Sequence, residues 1–237
     1  MKTVWLETID STNSEALRRL PELENGTVLA ARDQTAGRGQ RGNTWFTEPG
    51  KNLTFSIVLK NLPLKAFEAV RLNYLTSVAV ARYLESRGAE AAIKWPNDIY
   101  VGGRKICGML IENTLGPVGQ VMASVIGIGI NLNQTAFPQL ANATSLSLCT
   151  GQSYELETEL EAFLGFFETL QVNDPELFGS YSARLFRHGV WASYHDLLTG
   201  REYRGRIEGV ETDGRLHIVD EEGNDLYYRF KEVSYIL

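Results

Sequence analysis

Hydrophobic residues in the first third of the chain follow strand and helix patterns in turn. Residues 2–7 and 27–32 are short apolar stretches, and residues 53–60 alternate between apolar and polar positions, so all three segments predict β-strands. Asp10, Ser11 and Thr12 offer helix-capping oxygens just before an apolar helical repeat. Residues 64–87 predict one long amphipathic helix, whose buried face carries Phe67, Val70, Tyr74, Leu75, Val78 and Leu84.

In the rest of the chain the pattern of apolar residues changes twice. Residues 91–131 return to strand patterns around a Gly102-Gly103 turn, which predicts an antiparallel meander. Residues 155–170 and 175–186 have the apolar spacing of two further helices. After about residue 187 short strand-like segments alternate with turn sequences, as in a small β-barrel. These predicted strands are residues 203–210, 215–220, 225–230 and 233–237.

The order of these segments predicts an α+β fold. A length of 237 residues suits one large domain, or one domain with a small companion. We expect a mixed, mostly antiparallel sheet with flanking helices in residues 1–186, followed by a small β-barrel in residues 187–237.

Charge and composition narrow the class of protein. The chain has 23 Lys and Arg against 29 Asp and Glu, a net charge of −6, and no basic run, so DNA binding is not expected. Two cysteines are too few for a disulfide framework, and the three histidines fall in no zinc-ligand spacing. The first residues do not form a signal peptide, and the most apolar stretch, residues 121–130, is too short to cross a bilayer. We expect a cytoplasmic protein without a built-in metal or a membrane partner.

A glycine-rich polar loop follows the second predicted strand. Residues 37–42 (GRGQRG) match the GxGxxG pattern of dinucleotide-binding folds, but a turn and a strand follow where that pattern needs a helix. Outside that context, the loop presents Arg38 and Arg41 on a backbone with three glycines, which suits phosphate or carboxylate binding. A flexible surface loop accounts for the same composition equally well.

Residues 94–98 (KWPND) lie at the end of a predicted strand. The proline stops the strand, so Asn97 and Asp98 lie at its mouth, where they could bind ribose, phosphate or magnesium. An Asx turn between strands is the structural alternative. Lys105 begins the next strand, and alternation places it on the face opposite Gly108. A lone lysine at a strand start is also typical of a solvated edge.

Two glycines leave one face of residues 126–131 without side chains. Such glycines mark the close approach of a ligand or another backbone, although packing against a helix accounts for them too. Together, the two arginines, two lysines, one aspartate, two asparagines and the glycine loop predict a site for a magnesium nucleotide and a second anion.

These motifs resemble those of the biotin protein ligases, also called biotin–[acetyl-CoA-carboxylase] ligases. The resemblance covers about residues 3–135 in the family's order and spacing, and it implies the family's class II synthetase-like catalytic fold followed by an SH3-like domain. The matching segments are Ser11-Thr12-Asn13, Gln34, residues 35–42 with Trp45, residues 94–98, residues 105–112 and residues 127–131.

The resemblance also implies a two-step reaction and a role for each residue. Biotin and ATP give biotinyl-5′-adenylate and pyrophosphate, and a lysine of a biotin carboxyl carrier domain then takes the biotinyl group. Magnesium enters with ATP, near Asp98. The implied catalytic cations are Lys105, Arg38 and Arg41, which would offset the repulsion between carboxylate and α-phosphate. The implied biotin contacts are Ser11, Thr12, Asn13, Gln34, Gly37, Arg38, Gly39, Gln40, Lys105, Gly108 and Leu110. The implied ATP contacts are Arg38, Gln40, Trp45, Asn97, Asp98, Lys105 and Asn131.

The chain departs from the family pattern in two places. Gln40 and Asn43 stand where relatives usually carry basic residues, which suggests that the loop retains the adenylate less by charge than by backbone and amide contacts. Only ten residues precede Ser11, so the DNA-binding domain and repressor activity of some relatives are not expected. A free sheet edge could pair with a second copy or with the carrier domain, which leaves the oligomeric state open.

Two other functions fit the same residues. A lipoate or octanoate ligase or transferase has a related catalytic fold and a different carboxylate substrate. A non-catalytic adenylate-binding sensor would keep the fold without the chemistry. Competition between carboxylate substrates separates the first from a biotin ligase, and Lys105→Ala separates the second.

Overall fold

The computed structural model describes residues 1–138, 140 and 142–236, without the side chain of Arg41. A seven-stranded sheet forms its larger layer, with the strand order β1-β2-β3-β7-β6-β5-β4. Only β1 and β2 pair in parallel; the other neighbours are antiparallel, which confirms the predicted mixed sheet and its meander. These strands are β1 (Lys2–Ile9), β2 (Thr27–Gln34), β3 (Leu53–Lys60), β4 (Ala91–Lys94), β5 (Asp98–Val101), β6 (Arg104–Leu115) and β7 (Val121–Ile130).

Helices flank this sheet. Of the three predicted capping candidates, Ser11 caps the first helix, because its side-chain oxygen accepts a hydrogen bond from the Ser14 amide. None of the helices in the described part of the chain is long and apolar enough to span a membrane. The helices are α1 (Thr12–Arg18), α2 (Val70–Ser86), α3 (Leu146–Thr150), α4 (Leu156–Glu168) and α5 (Glu176–Ser182).

The long amphipathic helix predicted from residue 64 begins later than expected. Residues Ala66–Glu68 form a single 3₁₀ turn, and α2 starts only at Val70. Because a 3₁₀ turn has three residues per turn, it shifts the phase of the side chains that precede the helix. Phe67 therefore lies 74% exposed, and its placement on the buried face was wrong.

The C-terminal residues form a five-stranded antiparallel sheet. Its order is β11-β10-β9-β8-β12, and within the described residues its two end strands do not pair with each other. This confirms a separate antiparallel β-sheet at the C-terminus, hereafter the C-terminal module, and adds one strand, β8, that the sequence did not predict; the closure of this sheet into the predicted barrel is not observed in the described residues. The strands are β8 (Trp191–Asp196), β9 (Glu202–Val210), β10 (Leu216–Asp220), β11 (Asp225–Tyr228) and β12 (Val233–Tyr235).

The two sheets share one hydrophobic core. Buried residues of both belong to a single cluster, and polar contacts cross between them. The Trp95 indole Nε1 donates to the Gly214 carbonyl at 3.0 Å, and the Tyr74 hydroxyl donates to the Glu211 carbonyl at 3.4 Å. The domain boundary at residues 186/187 stays a prediction.

A buried carboxylate joins the two helices that cover the sheet. Glu159 on α4 is 6% exposed, and its Oε2 accepts hydrogen bonds from the hydroxyl of Tyr83 on α2 at 2.7 Å and from Nε of Arg87, the C-cap of α2, at 2.8 Å. A buried charge is tolerated when it is paired and hydrogen-bonded in this way.

We expect Glu159→Ala to lower the free energy of unfolding by about 2–3 kcal/mol, because it leaves Arg87 and the buried Tyr83 hydroxyl without their acceptor. The matched control is Glu221→Ala, which breaks an exposed ion pair with Arg204 and should cost less than about 1 kcal/mol. Urea unfolding followed by tryptophan fluorescence measures both. Equal, small losses would contradict this account of α4 packing.

Candidate active site

A cavity of about 370 Å³ lies where the glycine loop, the seven-stranded sheet and the C-terminal module meet. This volume is within the range of small-molecule sites. The cavity brings together most of the residues predicted from the sequence. Those lining it are Ser11, Thr12, Asn13, Gln34, Arg38, Gly39, Gln40, Trp45, Asn97, Asp98, Lys105, Gly108 and Leu110.

One end of the cavity is polar but uncharged. Gln34 Oε1 accepts hydrogen bonds from the Thr12 backbone amide at 2.8 Å and from its hydroxyl at 3.1 Å. The Ser56 hydroxyl donates to Asn13 Oδ1 at 2.5 Å, and Asn13 Nδ2 donates to the Leu110 carbonyl at 3.1 Å. Thr12, Asn13 and Ser56 are almost fully buried, so these contacts hold their side chains in fixed orientations.

The bare glycine face predicted on β7 exists, and two side chains lie on it. A Cβ at Gly127 would come within 2.2 Å of Asn13 Oδ1, and one at Gly129 within 2.3 Å of the Trp45 indole. Gly108 on β6 faces the same indole, 2.9 Å from where its Cβ would be. The glycines therefore serve close approach: Asn13 from a helix and Trp45 from the loop rest directly on the sheet backbone.

Lys105 lies on the same face as Gly108, contrary to the alternation predicted for this strand. A β-bulge shifts the β5–β6 register, so that Ile99 pairs with Cys107 while Tyr100 pairs with Lys105. The extra residue, Ile106, reverses the alternation before Cys107. A Cβ at Gly108 would consequently lie 3.3 Å from Lys105 Cε. The bulge thus turns the lysine into the cavity.

Lys105 is already paired in this arrangement. Its Nζ lies 2.7 Å from Asp98 Oδ1, and both side chains are 22% exposed. The ammonium also lies 5.6 Å from the centroid of the Trp45 ring, within cation–π range. Asn97 is held beside it, because its Nδ2 donates to the Met109 carbonyl at 2.6 Å.

A second lysine, Lys94 of the KWPND motif, lines the cavity near Lys105. Lys94 Nζ donates to the Tyr100 hydroxyl at 3.1 Å and lies 5.0 Å and 4.9 Å from the ring centroids of Tyr100 and Tyr235. Burial lowers the pKa of Lys94, because desolvation disfavours the ammonium, and raises the pKa of Tyr100 to about 12. Tyr235 belongs to β12, so the C-terminal module reaches this part of the cavity.

The described lining carries four basic side chains, Arg38, Lys94, Lys105 and Lys231, against one carboxylate, Asp98. The cavity is therefore locally cationic in a chain of net charge −6. Such a site favours an anionic ligand despite the overall charge. The positive charge of Arg38 is directed away from such a ligand, since its guanidinium forms two hydrogen bonds with Glu112 just outside the cavity, at 2.7 and 3.1 Å.

Two predicted site residues, Gly37 and Asn131, are not part of the described lining. Gly37 lies in an adjoining depression, where a Cβ would come within 2.3 Å of the Trp45 carbonyl. Asn131 is buried, and its Nδ2 donates to the Thr144 carbonyl at 3.0 Å. The Arg41 side chain lies outside the described residues.

The sequence predictions missed the C-terminal contribution and several sheet residues. Lys94 stood in a motif that was recognised, but its role was not assigned, and the glycines of β7 gave the only local signal for that face. The lining residues without an assigned role are Asn43, Thr44, Phe55, Lys94, Trp95, Pro96, Met109, Gly127, Ile128, Gly129, Leu197, Phe230, Lys231, Val233, Ser234 and Tyr235.

Within the described residues, no group of three or more His, Cys, Asp or Glu side chains is arranged to hold a metal ion. Asp98 is the one carboxylate in the described lining, and it is bound to Lys105. Magnesium uses a single protein carboxylate of this kind only together with phosphate oxygens.

Comparison with solved structures extends over nearly the whole chain. The structure "Biotin protein ligase from Aquifex aeolicus in complex with biotin and ATP" superposes with a TM-score of 0.77 and 26% sequence identity, covering 98% of this chain and 97% of that one. The similarity therefore includes the C-terminal module as well as the seven-stranded sheet.

Comparison with sequences points the same way. A biotin--[acetyl-CoA-carboxylase] ligase of Mycobacterium tuberculosis is 30% identical over 87% of this chain and 79% of its own length. The bifunctional ligase/repressor BirA of Escherichia coli K12 is 41% identical over 54% of this chain, and the match spans only 39% of that relative's length. The model of the biotin/lipoate A/B protein ligase family matches residues 5–131, which carry most of the cavity. The chain belongs to this family.

Proposed function

We propose that this chain is an ATP-dependent biotin protein ligase. It activates biotin to biotinyl-5′-adenylate and transfers the biotinyl group to a lysine of a biotin carboxyl carrier domain. The observation that carries the proposal is that one cavity joins an uncharged hydrogen-bonding end, at Thr12, Asn13 and Gln34, to a cationic end at Lys105. Biotin has the same order of groups: a neutral ureido ring, an apolar chain and a carboxylate. The biotin and ATP bound by the Aquifex aeolicus ligase support the choice of substrates.

In the first step, a biotin carboxylate oxygen attacks the α-phosphorus of ATP. The bond from that phosphorus to the bridging oxygen breaks, and pyrophosphate leaves. Two anions must approach each other, so nearby cations lower the barrier by offsetting their repulsion. Lys105 serves this purpose once its ammonium leaves Asp98 for the reacting oxygens, and Lys94 and Lys231 add positive charge to the same cavity.

Magnesium fits this scheme as a companion of the nucleotide. It would bind the phosphates and take Asp98 as its protein ligand, and it would supply positive charge to the leaving pyrophosphate. When Lys105 leaves Asp98 for the reacting oxygens, it also frees the Asp98 carboxylate, which would then be available to magnesium.

In the second step, the amine of the carrier lysine attacks the carbonyl carbon of the mixed anhydride. The new amide bond forms, AMP leaves, and the amine loses a proton. The glycine loop covers the adenylate and protects it from hydrolysis until the carrier domain binds. The edge strand β1 of the larger sheet offers pairing positions for the carrier domain or for a second copy of the chain, whereas Ile93 on the outer edge of β4 already pairs with residues 184–186.

ATP–pyrophosphate exchange in the presence of magnesium tests the activation step. We expect exchange to depend on biotin, not on lipoate or octanoate, and Lys105→Ala to lower its rate by a factor on the order of 10²–10³, the size typical of removing one preorganised charge donor. Lys51→Ala, an exposed lysine outside the cavity, is the control and should leave the rate unchanged. Exchange with lipoate or octanoate alone would assign the chain to the lipoate or octanoate enzymes. Biotin binding without exchange would make it a sensor.

The bare glycine face provides a second test. Gly127→Ala places a methyl group 2.2 Å from Asn13 Oδ1, so Asn13 must move. We expect biotin affinity, measured by calorimetry, to fall by about tenfold or more, as a misplacement of about 1 Å in a binding group typically produces. Gly165→Ala on α4 meets no atom within 4 Å and should leave the affinity unchanged. Equal affinities of the two variants would remove Asn13 from the biotin site.

The loop departure at Gln40 provides a third test. We expect Gln40→Arg to slow the release of biotinyl-adenylate by about threefold to tenfold, because a charged donor makes stronger hydrogen bonds to phosphate than an amide does. The release rate is measured by chasing bound radiolabelled adenylate with unlabelled ligand. Gln152→Arg adds the same charge at an exposed turn far from the lining and should not change the rate. Equal release by wild type and Gln40→Arg would contradict the hypothesis.

A further inference from the structure

One carboxylate outside the cavity connects two parts of the site that are far apart in the chain. Glu112 Oε1 accepts a hydrogen bond from Arg38 Nη2 at 2.7 Å, and Glu112 Oε2 accepts from Arg38 Nη1 at 3.1 Å and from Asn13 Nδ2 at 3.0 Å. Arg38 belongs to the glycine loop, and Asn13 belongs to α1. Glu112 therefore holds the loop and the helix together from strand β6.

The Asn13 amide depends on this contact. Its two N–H groups donate to Leu110 and Glu112, and its oxygen accepts from Ser56, so both donors are used. Asn13 is only 3% exposed, and a buried donor without an acceptor is costly. Loss of the Glu112 carboxylate would leave one N–H unpaired and remove the contact that orients the amide towards the cavity.

The Arg38 side chain is occupied in the same way. Its guanidinium faces the carboxylate in a two-point arrangement, and Nη1 also lies 3.3 Å from the Ser14 hydroxyl. These contacts direct its positive charge to Glu112, not to a ligand in the cavity. The backbone of Arg38 pairs with Thr44, and the Gly37 carbonyl accepts from the Trp45 amide. Fixing Arg38 thus fixes both ends of the loop.

The exposed ion pair between Arg38 and Glu112 would not by itself hold the glycine loop in place. The side chains of Arg38 and Glu112 are 41% and 25% exposed, and isolated pairs at such positions contribute little. The difference is the buried Asn13, which shares the same carboxylate oxygen with Arg38 Nη1. A movement at either end therefore changes the hydrogen bonding at the other.

We propose that Glu112 is a positioning residue, which couples the glycine loop to Asn13 so that the loop and the biotin-side amide form one unit. Arg38 acts through Glu112 and does not touch the phosphates. The inference rests on the proposed biotin ligase function and assigns a role to a residue outside the reacting groups.

A double-mutant cycle tests the coupling. Glu112→Ala, Arg38→Ala and the double variant are compared in biotin-dependent ATP–pyrophosphate exchange, with KM for biotin, KM for ATP and kcat measured separately. Each single change should raise the biotin KM by about tenfold, and the double change should raise it no further, as for residues that act in one network. The ATP KM and kcat should change by less than about twofold, since groups that do not interact with the reacting atoms affect them little.

Two further variants serve as a conservative substitution and as a control. Glu112→Gln keeps an oxygen for Asn13 or Arg38 and should have an effect between those of wild type and Glu112→Ala. Arg18→Ala removes another two-point arginine pair, with Asp10 at 2.7 and 2.8 Å, from the same helix α1 and should leave the biotin KM unchanged. Urea unfolding shows whether each variant is folded under the assay conditions.

The outcomes separate the two proposals. If wild type shows no biotin-dependent exchange, the proposed function fails. If wild type is active but Arg38→Ala lowers kcat or raises the ATP KM, and its effect multiplies with that of Glu112→Ala, then Arg38 contacts phosphate and the positioning role is overturned. A biotin KM that does not change in Glu112→Ala overturns it as well.

Discussion

The site depends on the close approach of side chains to the backbone of strands β6 and β7. Glycines at positions 108, 127 and 129 leave the centre of the sheet face bare, and Asn13 and the Trp45 indole occupy the freed space. Because β7 is paired on both sides from Ala123 to Ile130, this surface cannot yield to a larger side chain by moving the strand. The helix, the loop and the sheet can meet at one cavity only while these positions stay small.

The charges of the site already have partners within the chain. Lys105 is bound to Asp98, Arg38 to Glu112, and Lys94 lies between two tyrosine rings. A cationic cavity in an acidic chain is stable in this state because none of these charges is both buried and alone. In the proposed reaction, an anionic substrate competes with Asp98 for Lys105, whereas Arg38 keeps Glu112 as its partner. Part of the binding free energy is therefore spent on breaking the ion pair between Lys105 and Asp98.

Local patterns in the sequence were sufficient for most strands, and the motifs that carry the family resemblance supplied part of the cavity lining. The alternation of apolar and polar residues predicted β3 with the bounds that the structure shows, Leu53–Lys60. The motifs around Ser11, Arg38 and Asp98 meet at the cavity. The sequence predictions failed where the result depends on how neighbouring strands pair. The bulge at Ile106 is a property of the β5–β6 register, so alternation within one strand placed Lys105 on the wrong face. Leu197, Phe230 and Tyr235 line the cavity through packing between the two sheets, which no local pattern encodes.

The contact of Lys94 with Tyr235 has an evolutionary consequence. The lysine comes from β4 of the larger sheet and the tyrosine from the last strand of the C-terminal module, and the ammonium is shielded from water by both Tyr100 and Tyr235. A smaller side chain at position 235 would rehydrate the lysine and remove part of the burial that lowers its pKa, while a neutral side chain at position 94 would leave the tyrosine ring without its cation. Substitutions at the two positions are therefore expected to covary among homologues, and a C-terminal module transplanted from a relative must bring a compatible residue for Lys94.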